Sequence, residues 1–321
     1  MNSERLPGRG RPDGALEVEC IRCRSPVLRR PSEPPQNQSV SEHRPRGRAE
    51  ARDVVELKQL KQAHPELSSA VDMQVALLDL QRRIQSRVAT PLLSYDESKA
   101  RRLATGQRLV DFDEIPMDWS EFRLAFRQTA DILRRFGALE DPDHATLQAL
   151  VREGTRIEPL TRDYYERTAS PGAAAAAAGV PPMLDAALAL ALRPFLARCS
   201  DVWLGRLDLA VWQRAWCPIC GGEPDFAALG AGGDRSLICG RCLAQWPFHR
   251  TACPFCGNDG ERGVRSFASR DRRYRVYGCE SCRKYLKAYD ARGAARPVMP
   301  VVDTIATLPL DAAAIQSGFD G

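Results

Sequence analysis

Four C-x2-C pairs constrain this chain more than any other feature: Cys217/Cys220, Cys239/Cys242, Cys253/Cys256 and Cys279/Cys282, with 18, 10 and 22 residues between successive pairs. In such a knuckle the chain reverses tightly, both thiolates face one point, and backbone N–H groups turn towards sulfur. Glycine directly after the second cysteine suits a reversal that favours positive φ. Gly221 and Gly257 hold that place, and Gly240 sits inside its knuckle. Two knuckles that meet supply four sulfurs, the tetrahedral set taken by Zn²⁺ and by rubredoxin-type iron.

Sequential pairing is the economical arrangement: Cys217, Cys220, Cys239 and Cys242 form one site, and Cys253, Cys256, Cys279 and Cys282 the other. The stretches "ALGAGGDRS" and "SRDRR" supply the hairpin turns that return the chain. Interleaved pairing stays open at this level. A segment this small and polar has little core, so metal binding provides much of its folding free energy. A catalytic zinc keeps one position free, with three protein ligands; here the cysteines come in complete fours, which predicts closed sites and a protein that is not an enzyme. His249, in "QWPFHRTAC", reads as a hairpin histidine. Redox-active iron fits the same ligands.

The remaining composition sets the compartment and partner class. Eleven cysteines in a chain whose start, "MNSERLPGRGRPDG", has no apolar leader predict thiolates in the reducing cytoplasm. The greasiest run, "MLDAALALALRPFLARC", carries Asp185, Arg193 and Pro194 and is too short to span a bilayer, so no membrane insertion is expected. A net charge of +5 permits an acidic partner without demanding one.

Residues 1–50 are rich in Arg, Pro, Gly and Ser, too polar to offset their ordering entropy, and are predicted to be a disordered extension. Cys20 and Cys23 within it supply two ligands where a closed site needs four. Residues 51–210 predict an all-helical domain. Val71, Val75, Leu78, Ile84 and Val88 recur at helical spacing, with Pro65 at a helix start. Phe122, Phe126, Ile132, Leu133 and Phe136 share a second face, capped by Asp118 or Ser120; Leu147, Leu150 and Val151 point inward on a third. "PGAAAAAAGVPP" is a loop or a short frayed helix, and lone Cys199 is a small core residue. Past Trp216 the texture becomes glycine, cysteine and short β-like runs. The predicted fold class is therefore α+β and multidomain: an N-terminal all-α domain, then two small rubredoxin-like or zinc-ribbon β domains at 211–250 and 251–303, and a tail at 304–321.

Other signals are weak. GxxxxGK[ST], HExxH and GxSxG do not occur, and "GAGGD" is a turn between knuckles. Arg262, Arg265, Arg270, Arg272, Arg273 and Arg275, with Phe267 and Tyr274 interleaved, could stack on nucleic acid. The same half carries Glu223, Asp225, Asp234, Asp259, Glu261, Asp271, Glu280 and Asp290, which favours a solvated hairpin or a docking surface for an acidic protein patch, with no nucleic acid expected.

The segments "CPICGGEP", "CGRCLAQWPFHRTACPFCGN", "CESCRKYLKAYD" and "PVVDTIATLPLDAAAIQSGF" resemble the formate dehydrogenase accessory protein family, over roughly 203–319 and more loosely through the helical domain. The first fifty residues lie outside the likeness. The resemblance implies a cytoplasmic protein that binds the catalytic subunit of respiratory formate dehydrogenase before export and is needed to make it active. It implies that the eight cysteines are metal ligands, and it favours iron where the ligands equally allow zinc. Trp246, Arg250, Tyr285, Leu286 and Lys287 also match motif positions, as packing or surface residues. Self-association is compatible with all of this. The alternative reading is a rubredoxin-like iron protein that transfers electrons to the same client, and a more distant one is a zinc-ribbon nucleic-acid binder.

Overall fold

Before the cysteines, apolar stripes at helical spacing become helices that bury those stripes against one another. In the computed structural model, which describes residues 17–18, 47–91, 95–169, 181–259 and 263–320, these are α1 (Gly47–Ala63), α2 (Ser68–Gln85), α3 (Glu97–Thr105), α4 (Trp119–Arg135), α5 (Asp141–Glu153), α6 (Ile157–Arg167) and α7 (Pro182–Leu204). Most of the extension, with Cys20 and Cys23, lies outside the described residues, as do most of the Ala-rich insert, Glu261 and Arg262.

Helix α4 shows how the sequence sets an element. The Asp118 carboxylate accepts the backbone N–H groups of Ser120 and Glu121 at 2.8 and 3.2 Å, satisfying donors that the first turn leaves free. Phe122, Phe126 and Leu133 are buried as expected, together with Ala125, Thr129 and Ala130, while Ile132 and Phe136 are half-buried at the rim. Helix α7 is the central strut, and its buried residues, from Leu184 to Trp203, sit in the main core with Phe122, Phe126 and Leu147. Cys199 is fully buried there, and burial pushes its thiol up to about 12, consistent with an inert core residue.

The cysteine half is a sheet. Strands β2 (Pro224–Leu229), β3 (Arg235–Cys239) and β4 (Gln245–Phe248) form one antiparallel ribbon; β5 (Val264–Ala268), β6 (Tyr274–Cys279) and β7 (Tyr285–Asp290) form the second. A two-residue strand, β1 (Glu17–Val18), pairs with the outer edge of β5. The two ribbons are not separate bodies. β2 and β7 pair in parallel, Phe226 opposite Lys287 through to Leu229 opposite Asp290, giving a seven-stranded mixed sheet of order β1-β5-β6-β7-β2-β3-β4. Phe226 and Ile238 of the first ribbon share a core with Val276 and Tyr289 of the second.

The stretch expected as a tail is structured. Helices α8 (Pro300–Ala306) and α9 (Leu308–Gln316) follow the sheet, and the boundary at 303/304 falls inside α8. Val301, Val302 and Ile305 pack on Leu57, Val71 and Leu78 of the helical body, while Leu310, Ala314 and Phe319 pack on the sheet. Asp303, with no exposed surface, accepts hydrogen bonds from the Tyr274 hydroxyl (2.8 Å), Arg296 Nη2 (2.5 Å) and the Met299 backbone N–H (2.7 Å). Arg296 also pairs with Glu56 at 3.5 Å. A buried carboxylate met by a guanidinium and two further donors is the satisfied case, and it ties the second ribbon to α1.

Candidate metal centres

The four knuckles are copies of one turn. The first cysteine's N–H reaches a carbonyl five residues on: Cys217 to Gly222, Cys239 to Ala244, Cys253 to Asn258 and Cys279 to Lys284, all at 2.8–2.9 Å. Its carbonyl accepts from the residue four on, namely Gly221, Leu243, Gly257 and Arg283, at 2.9–3.1 Å. All four of those residues have positive φ, 74°, 60°, 73° and 60° in that order. The glycine signal thus found two of the four; Leu243 and Arg283 adopt the left-handed region at the steric cost that a side chain incurs there. Gly240 has a different reason to be glycine. A Cβ there would lie 2.9 Å from the Asp225 Cβ, so the knuckle needs it for close approach to the neighbouring strand end.

The turns bring the cysteines together in sequential pairs of knuckles, which removes the interleaved alternative. Within each set the four sulfurs lie within 4.8 Å of one another. In site 1, Cys217 and Cys242 are 3.5 Å apart, Cys220 and Cys239 3.5 Å, and Cys220 and Cys242 3.6 Å. In site 2, Cys253 and Cys282 are 3.7 Å apart, as are Cys256 and Cys279. Four sulfurs this close, with no further His, Asp or Glu grouped with them among the described residues, are a donor set for one tetrahedral ion.

A buried cation beside each set tests that fit independently. Arg241, inside the second knuckle, is 7% exposed; its guanidinium lies 4.4 Å over the Tyr165 ring, and Nη1 donates to the Tyr165 carbonyl at 3.4 Å. Its Nε and Nη2 have no hydrogen-bond partner, while its backbone N–H points at Cys239 Sγ at 3.4 Å. An uncompensated buried charge costs several kcal/mol. Four thiolates around a divalent ion carry net charge −2, and Arg241 beside them is the counterweight such a centre requires. Arg235 plays the matching part near site 2: it is 5% exposed, donates to the Ala252 carbonyl at 3.0 Å, and leaves Nε unpartnered. With Cys253, Cys279 and Tyr277 it lines a cavity of about 10 Å³. Sequence reasoning missed both arginines, since nothing in "CGRC" or "DRSLIC" says which arginine is buried.

Proton affinities within the sets diverge. Burial pushes the Cys217 and Cys242 thiols well up; at Cys220 burial acts the same way, but hydrogen bonds from the neighbouring cysteines and the Arg241 charge outweigh it and hold that thiol low. At Cys279, burial is likewise outweighed, by the Cys282 and Ser281 backbone N–H groups first, which brings it to about 7. In each set one thiol, Cys220 or Cys279, is thus shifted towards the thiolate that a cation needs as a ligand.

Other expected residues stand outside the clusters. His249 is exposed, stacked edge-on against Phe248. Trp246 is buried and donates to the Arg214 carbonyl; Leu286 is buried; Tyr285 and Lys287 both bond Asp311; Arg250 is exposed beside Gly233. In the arginine stripe, Arg265 pairs with Glu280, Arg273 with Asp271 and Arg275 with Asp290.

A helical body that carries two tetracysteine ribbons on one mixed sheet defines a paired-knuckle protein, and known proteins share this plan. The FdhE protein from Pseudomonas aeruginosa, a crystal structure, superposes with a TM-score of 0.59 over 87% of this chain and 95% of that one, at 21% identity, which is a shared fold. The FdhE homolog of Aquifex aeolicus is 26% identical over 267 residues, 81% of this chain and 88% of that protein. The FdhE homolog of Shewanella oneidensis is 33% identical over 113 residues, so the match spans 34% of this chain and 37% of that protein. No family model matches. These likenesses, over most of the chain to one FdhE homolog and over the cysteine half to another, support the resemblance to the formate dehydrogenase accessory protein family. Among the described residues, no helix is long and apolar enough to cross a membrane.

Proposed function

We propose that this chain is a cytoplasmic maturation factor that binds the catalytic subunit of respiratory formate dehydrogenase and is needed for its assembly into active enzyme. On this reading residues 51–210 form the body that carries two metal ribbons, 211–250 and 251–303. Cys217, Cys220, Cys239 and Cys242 hold one ion, and Cys253, Cys256, Cys279 and Cys282 a second. The observation that carries the reading is the paired tetracysteine sheet on a fold shared with FdhE. A complete tetrathiolate leaves no position for substrate at the ion, which favours a binding role over catalysis.

Deleting the gene in its host tests this. Formate dehydrogenase activity is expected to disappear while the catalytic subunit is still synthesised, and normal activity in the deletion strain sinks the reading. Metal analysis of the chain purified without air decides between the two ions the ligands accept. Two irons per chain with thiolate charge-transfer bands admit electron transfer to the client as part of maturation; two zincs leave the ribbons as a scaffold.

A further inference from the structure

The two sites share a knuckle but not an environment. We propose that they divide labour: site 1 is a permanent structural centre, and site 2 is the centre at which the ion is exchanged. The inference rests on the reading that both sets bind a metal.

Site 1 is enclosed. Its cysteines are 0–1% exposed, and both of its knuckles are held by the helical body. The Pro218 and Ile219 carbonyls accept the backbone N–H groups of Leu109 and Val110 at 2.9 and 3.0 Å, and Arg193 Nη2 donates to the Gly240 carbonyl at 2.7 Å. Tyr165 locks the same contact from beneath, its hydroxyl on the Val110 carbonyl at 2.6 Å and its ring under Arg241. A Cβ at Gly221 would lie 2.6 Å from the Ala169 carbonyl oxygen, so there is no approach from that side. An incoming donor reaches this ion only if the body parts from the sheet.

Site 2 faces solvent. Cys256 is exposed and Cys282 half-exposed, whereas Cys253 and Cys279 are buried. A Cβ at Gly257 would meet nothing within 4 Å. The ribbon around it is held by contacts that do not involve the ion: the parallel β2–β7 pairing, the Val276, Tyr289 and Phe319 core, and the Tyr274–Asp303 hydrogen bond. The ion can therefore leave without the ribbon unfolding. The exchange is a ligand substitution. Cys256 would be the first of the four ligands to give way to an incoming donor, its thiolate taking a proton from water with no electron moved, and Cys282 the second.

The test uses the intact, metal-loaded chain, challenged with excess EDTA and, separately, with iodoacetamide under native conditions. One ion per chain is expected to leave at least about tenfold faster than the second, as access at a preformed site dictates. Alkylation should mark Cys256 first and Cys282 next, with Cys217, Cys220, Cys239 and Cys242 spared and tryptophan emission unchanged. Cys256→Ser should retain one ion. Release of both ions at one rate, or labelling of a site 1 cysteine before Cys256, overturns the division. A loaded chain that holds fewer than two ions instead overturns the two-centre reading, and the division with it.

Discussion

Site 1 and site 2 are assembled from the same six-residue turn, with the same pair of backbone hydrogen bonds and a left-handed residue at the same place, yet one is sealed against α-helices and the other opens to solvent. The comparison separates two things that metal ribbons usually present together. Coordination geometry is local, written in the knuckle. What the ion does for the fold depends on what else holds the ribbon. Site 1 sits where the body meets the sheet and carries a buried guanidinium, beside the sulfurs and over the Tyr165 ring, with two of its nitrogens unpartnered. Site 2 sits on a ribbon already secured by a neighbouring strand and two C-terminal helices.

The sharpest way to break the contrast is one substitution made in either ribbon. Cys220→Ser is expected to lose the site 1 ion, leave Arg241 unbalanced in the core and destabilise the chain by about 4 kcal/mol or more. Chemical denaturation of Cys220→Ser beside Cys256→Ser checks this, and equal losses would mean that the two sites are equivalent.

Next in size is the join between ribbons. Phe226, 1% exposed, projects into the core shared by both. Phe226→Ala should cost about 3–5 kcal/mol and split one thermal transition into two, with the second ribbon melting first. A single transition shifted as a whole would show that the sheet stays one unit without it.

Acid provides a smaller probe of the same join. Asp290 ends β7 opposite Leu229; hydrogen bonds from Arg292, then Arg275, outweigh burial and hold its carboxyl at about 2, below its ordinary 3.8. Because the folded value is depressed, the stabilisation is complete above about pH 4 and is lost as pH falls towards 2, on the order of 2 kcal/mol in all. Asp290→Asn should flatten that part of the stability–pH curve. An unchanged acid limb would assign it to other carboxylates.

The smallest expected effect tests whether the body is independent of either ion. Asp118→Ala removes the α4 cap and should cost about 1 kcal/mol, with metal content unaltered. Loss of an ion in that variant would mean that the α4 end of the body bears on site 1.

Much of this was legible beforehand. The buried face of α4, its Asp118 cap and the core position of Cys199 follow from spacing and residue type, because helix periodicity and capping act within a few residues. The four knuckles were legible for the same reason, since each is a turn of six residues, but not which knuckle meets which. The parallel pairing of β2 with β7 was not. It joins segments about sixty residues apart, and neither "PDFAAL" nor "YLKAYD" carries a mark of its partner. Nor do helices α8 and α9 stand out in "PVVDTIATLPLDAAAIQSGF", because their apolar residues acquire meaning only against the surfaces they cover.

By itself the sequence determined that the chain has a helical half and a cysteine half, and that eight cysteines can form two sets of four; short-range sterics and sulfur chemistry suffice for that. Only the tertiary structure decided which knuckles meet, that the ribbons merge into one sheet, that Arg241 and Arg235 are buried beside the sulfurs, and that one site is closed while the other is open. Burial is a property of what packs on a residue, and that partner is chosen by the whole fold.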